Sequence, residues 1–72
     1  MAFPEKLKYL RTSMRLTKKD FAKKIGVSQS SVNYWEKGQR IPSIEAAAKI
    51  ADFFDITIES LLAQSKKFLR TQ

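Results

Sequence analysis

An all-α fold, a compact bundle of five short helices, is what three features of this 72-residue sequence predict together. Hydroxyl residues suited to capping helices (Thr17, Ser28, Ser43 and Thr57) each precede apolar residues spaced three or four apart. Gly26 and Gly38 stand where two of these runs end. No stretch alternates apolar and polar residues long enough for a strand, and the nearest approach, FDITIES, is too short to outweigh the capping and packing signals. A chain of this length buries only about 60% of its unfolded surface, so its core must come mostly from contacts local in sequence, as a small helical bundle allows.

Each helix has its own signals. Phe3, Leu7, Leu10 and Met14 recur at helical steps, which predicts a first helix from about Pro4 to Arg15 with that stripe buried and with Lys8, Arg11 and Arg15 on the exposed side. Pro4 suits a first turn, where its missing N–H costs nothing. The second helix is expected from Lys18 to Ile25, burying Phe21, Ala22 and Ile25, with Ala22 small where two helices approach closely. Thr17 before it and Asp20 three residues on make a capping box, in which each side chain satisfies a backbone N–H orphaned at the helix start. Gly26 then stops the helix, because a sharp turn needs positive φ without a Cβ clash. Ser28 caps a third helix that turns Val32 and Trp35 inward and leaves Gln29, Ser30, Asn33 and Tyr34 outward, and Gly38 ends it. After the loop GQRIP, Ser43 caps a fourth helix reaching about Phe54, whose apolar face is Ile44, Ala47, Ala48, Ile50, Ala51 and Phe54. Thr57 caps a short fifth helix with Ile58, Leu61 and Leu62, and Glu59 lies favourably near its positive end.

Composition narrows the function. With no cysteine and no histidine, the chain has neither disulfides nor thiolate zinc ligands nor Ser-His or Cys-His pairs, and its seven carboxylates are scattered among lysines. It therefore reads as no enzyme, with no cofactor, metal or small-molecule effector called for. The opening MAFPEKLKYL lacks the apolar run of a signal peptide and nothing later reaches membrane-spanning length, so a soluble, cytoplasmic protein is expected. The net charge of +7 is unevenly spread: Met1 to Arg40 holds ten basic residues against three acidic, while from Ile41 to Ser65 Lys49 alone faces four acidic residues. Such asymmetry suits a face that binds a polyanion, although a solvated lysine-rich surface is compatible with charge alone.

The elements Leu16-Thr17, Phe21-Ala22, Ile25-Gly26-Val27-Ser28, Trp35-Glu36-Lys37-Gly38, Arg40-Ile41-Pro42-Ser43 and Ile56 to Leu62 stand in an order that closely resembles the Cro/repressor-like (XRE-type) helix-turn-helix family over about residues 5 to 63. The resemblance implies a five-helix fold with helices two and three forming the helix-turn-helix and the third lying in the major groove of double-stranded DNA. It implies a transcriptional regulator, a repressor binding a palindromic operator as a homodimer. Two positions depart from the pattern: Lys18 stands where the family often has glutamine, and Asp55 where glycine or asparagine is usual in a left-handed turn. Asp tolerates that conformation moderately well.

On this resemblance Gln29, Ser30, Asn33 and Tyr34 are the candidate base contacts. Gln29 and Asn33 suit adenine, Ser30 is permissive, and Tyr34 suits a thymine methyl or a phosphate. Thr17, Lys18, Lys19, Ser28, Lys37, Gln39 and Arg40 are the candidate phosphate contacts, with helix N-termini adding backbone donors. Trp35 is read as core, in phase with Val32. Residues 1–63 form the expected DNA-binding domain, and 64–72 a basic tail. If the fifth helix continued, heptad steps from Leu61 to Phe68 and Leu62 to Leu69 would make a dimer seam; a frayed end or a linker is the alternative. Two other function classes stay open: a protein-interaction module such as an antitoxin or adaptor, and a cationic membrane-surface or RNA binder. The uncharged run from Ser28 to Trp35 argues against the last.

Overall fold

The computed structural model describes residues 2–62, which form five helices and, among the described residues, no strand: α1 (Phe3–Ser13), α2 (Lys18–Ile25), α3 (Gln29–Glu36), α4 (Ile44–Phe53) and α5 (Ile58–Leu62). The basic tail and its proposed heptad register lie outside the described residues. Helix α2 packs on α3 across the turn at Gly26, α1 lies against α3 and α5, and α4 closes the bundle against α2 and α5.

The expected caps are made. Thr17 Oγ1 accepts from the Asp20 N–H at 3.0 Å, Ser28 Oγ from Ser31 at 3.1 Å, Ser43 Oγ from Ala46 at 3.1 Å and Thr57 Oγ1 from Ser60 at 2.9 Å. Each contributes about 1 kcal/mol. Only the forward half of the expected capping box is seen among the described residues, because aspartate is one methylene shorter than the glutamate that reaches back to the N-cap N–H. Gly26 ends α2 at φ 76° and ψ 38°. A Cβ there would meet nothing within 4 Å, so glycine is required for its backbone conformation alone. Asp55 adopts φ 57°, the left-handed turn expected of it, and Arg15 unexpectedly does the same at φ 59°.

The core joins Phe3 and Leu7 of α1, Phe21, Ala22 and Ile25 of α2, Val32 and Trp35 of α3, Ala47, Ile50 and Ala51 of α4, and Leu61 of α5. Phe21 is its centre: its ring stacks on Phe54 at 5.4 Å and meets the edge of Phe53 at 5.7 Å. Phe21→Ala is expected to cost about 3 to 5 kcal/mol of unfolding free energy, measurable by urea titration, since a fully buried ring is lost and its aromatic partners cannot close the gap.

Three expectations are corrected. Met14 is 50% exposed, because α1 ends at Ser13 and Met14, its C-cap, leaves the helical path at φ −97° and ψ 7°. Ile44 is 83% exposed: it opens α4, and the buried face of that helix begins only at Ala47. Arg11, expected in solvent with Lys8 and Arg15, is buried at 7% exposure because a carboxylate on α3 receives it.

Candidate nucleic-acid interface

Helix α3 is held at both ends. At its start, the Val27 N–H bonds to the Ala22 carbonyl at 2.9 Å and Ser28 caps the first turn, which seats α3 directly on α2. At its end, Arg11 grips Glu36 with two bonds, Nε to Oε2 at 2.6 Å and Nη2 to Oε1 at 3.0 Å, while Nη1 donates to the Leu16 carbonyl at 2.6 Å. One guanidinium thus ties α3 to α1 and to the segment that enters α2. Both side chains are nearly dry, at 8% and 3% exposure, so the pair is structural rather than a free surface charge. Sequence reasoning missed it, though a signal was present. Arg11 follows Phe3 and Leu7 at steps of four, and Glu36 follows Val32 by four, so each charge sits on an apolar stripe and needs a partner.

With Val32 and Trp35 buried and Glu36 paired to Arg11, α3 turns Gln29, Ser30, Asn33 and Tyr34 away from the core. Gln29, Ser30 and Tyr34 are exposed and Asn33 is half-buried. The four candidate base contacts therefore sit on one short helix. Trp35, 6% exposed, is core as expected and offers no stacking surface to a base.

The candidate phosphate contacts lie at the start of α2, at the N-cap of α3 and where the chain leaves α3. Lys19, Lys37, Gln39 and Arg40 are exposed, Lys37 as the C-cap of α3 and Gln39 bonding through its N–H to the Tyr34 carbonyl at 2.9 Å. The Arg40 guanidinium lies 4.7 Å above the Tyr34 ring, a cation–π contact that holds both at the end of α3. Thr17 and Ser28 use their hydroxyl oxygens as helix-cap acceptors, and Ser28 also shares a 3.0 Å hydrogen bond with the Ser31 hydroxyl. Lys18 differs from the other lysines: it is half-buried, and its Nζ donates to Asn33 Oδ1 at 2.8 Å. Among the described residues no cluster of acidic, histidine or cysteine side chains could hold a metal, and no helix is long and apolar enough to cross a membrane.

Comparison with known proteins agrees with this geometry. The family model described as helix-turn-helix matches residues 7–61, nearly all of the described chain. The chain is 48% identical over 56 residues to the uncharacterized HTH-type transcriptional regulator MJ0272 of Methanocaldococcus jannaschii, covering 78% of this chain and 85% of that one. It is 40% identical over 63 residues to the HTH-type transcriptional activator BcrR of Enterococcus faecalis, where 88% of this chain matches only 31% of the longer relative. In structure it resembles the SOS-response transcriptional repressor LexA from Eubacterium rectale with a TM-score of 0.82 and 33% identity, over 97% of this chain and 74% of that one. A capped helix pair crossing at a left-handed glycine, the outward polar row of α3 and a family match across the whole bundle lead to one assignment: the chain belongs to the XRE-type helix-turn-helix family of transcriptional regulators.

Proposed function

We propose that this protein reads a specific double-stranded DNA sequence as a transcriptional repressor, binding a palindromic operator as a homodimer with α3 in the major groove. One observation carries the reading: the outward face of α3 is a row of uncharged hydrogen-bonding side chains, Gln29, Ser30, Asn33 and Tyr34, on a helix otherwise buried or anchored. Exposed basic residues flank it along the chain, Lys19 near the start of α2 and Lys37 and Arg40 directly after α3. A neutral polar strip flanked by positive charge suits base edges between two phosphate backbones.

The dimer follows from length. The eight residues of α3 span about 12 Å, roughly four base pairs, too few to mark one site in a genome. Two copies with half-site centres about 34 Å apart double the sequence read. The repressor title of the structurally similar LexA supports that sign of regulation. The activator title of BcrR belongs to a chain of which this sequence matches only 31%.

Selection of bound sequences from random duplex DNA tests the proposal, with a palindromic motif expected. Gln29→Ala is then expected to cost about 1 to 3 kcal/mol on the selected site and to relax preference at one base position in each half-site, read by competition titration. An unchanged profile for Gln29→Ala removes that residue from base reading. Recovery of no motif by the native protein would favour a protein-interaction module instead.

A further inference from the structure

We propose that Lys18 and Asn33 act as one reading unit, in which Lys18 orients the Asn33 amide so that the pair selects guanine. The inference rests on the DNA-reading function above and goes beyond it by naming the base and the residue that sets the preference. Lys18 opens α2 and Asn33 lies fifteen residues later on α3, so their bond spans the two helices of the motif. A lysine reserved for phosphate would extend into solvent, whereas this one is half-buried with its ammonium 2.8 Å from Asn33 Oδ1.

The orientation of the amide follows from donor and acceptor chemistry. An ammonium has hydrogens to give and no lone pair to accept, so only the oxygen of the Asn33 amide can face it. Nδ2 is therefore turned the other way, and it has no hydrogen-bond partner among the described residues. An unengaged asparagine pairs with adenine by accepting from N6 through Oδ1 while donating to N7. Here Oδ1 already accepts from Lys18, and the adjacent positive charge disfavours the N6 amino group of adenine and the N4 amino group of cytosine. Two sources of donors remain on the pair, the Asn33 Nδ2 hydrogens and the unused ammonium hydrogens. Guanine is the base whose major-groove edge presents two acceptors, N7 and O6.

The test compares selected-sequence profiles and salt titrations for the native protein and the Asn33→Ala, Lys18→Met and Lys18→Gln variants, with thermal unfolding to confirm that each folds. In the native protein, one position per half-site is expected to favour guanine by about tenfold, a margin that Asn33→Ala removes. Lys18→Met, similar in length but unable to donate, is expected to bring adenine to within about twofold of guanine at that position and leave the other positions as they were. Lys18→Gln, whose amide can donate or accept and carries no charge, no longer fixes which way the Asn33 amide faces and is expected to leave adenine within about twofold of guanine as well, with the salt slope of the dimer shallower by about two units. If Lys18→Met weakens every sequence equally with an unchanged profile, Lys18 is a phosphate clamp and the inference is overturned. A native preference for adenine at the Asn33-dependent position overturns it as well. Absence of any native motif fails the DNA-reading function itself, a result distinct from an unchanged profile among the variants.

Discussion

Replacing Arg11 by alanine is expected to lower the unfolding free energy by about 3 to 5 kcal/mol, because it leaves the Glu36 carboxylate buried at 3% exposure without its counter-charge. Whole domains are held by only about 5 to 15 kcal/mol, and a bundle this small belongs near the lower end, so the variant should be substantially unfolded at physiological temperature. Urea unfolding followed by the fluorescence of Trp35, the neighbour of Glu36, measures the loss directly. The double variant Arg11→Met with Glu36→Leu should recover much of the stability, since removing both charges removes the desolvation penalty that either one alone incurs. Arg11→Lys should recover little. A lysine lacks the planar fork that meets both carboxylate oxygens and the Leu16 carbonyl together. A loss below about 1 kcal/mol for Arg11→Ala would place the pair among screened surface ion pairs and remove its anchoring role.

Affinity for the proposed operator is expected to fall about a thousandfold to ten-thousandfold between 50 and 200 mM monovalent salt. Lys19, Lys37 and Arg40 are exposed and Lys18 bonds to Asn33 on α3, so the proposed dimer would bring six to eight positive groups to the two backbones. Each phosphate neutralised contributes about −0.9 to the slope of log affinity against log salt, which sets an expected slope of roughly −5 to −7. The charge layout supports a basic contact through the first half of the chain, where residues 1–40 hold ten basic residues against three acidic, while residues 41–65 hold four acidic residues against Lys49 alone. Lys19→Glu should make the slope shallower without changing which sequence is preferred. A slope shallower than about −2 would mean that the basic half of the chain does not meet the phosphates, and a slope near half the expected value would indicate one bound protomer.

Local chemistry wrote most of the fold into the sequence. Four hydroxyl caps, the left-handed glycine at Gly26 and the apolar spacing of α2 and α3 depend on residues at most a few positions apart, whereas the left-handed Asp55 was implied by the family resemblance. The outward row of α3 was legible for the same reason, since two inward residues at helical spacing define the opposite face. Met14 and Ile44 were misplaced because spacing extends a stripe without showing where a helix stops or where its buried face begins. Arg11 lies on the buried stripe against the usual preference of arginine for solvent, because its counter-charge Glu36 comes from twenty-five residues away.

The sequence by itself determined the helix-turn-helix, the separation of buried scaffold from exposed row, and the asymmetry of charge, all properties of periodicity, capping and composition. Only the tertiary structure decided which polar groups meet: Arg11 with Glu36 across α1 and α3, Lys18 with Asn33 across α2 and α3, and Arg40 over Tyr34 where the chain leaves α3. Those pairings depend on how helices cross. A crossing is set by the packing of whole faces around Leu7, Phe21 and Val32, so a partner fifteen or twenty-five residues away is chosen by the assembled core rather than by any local signal.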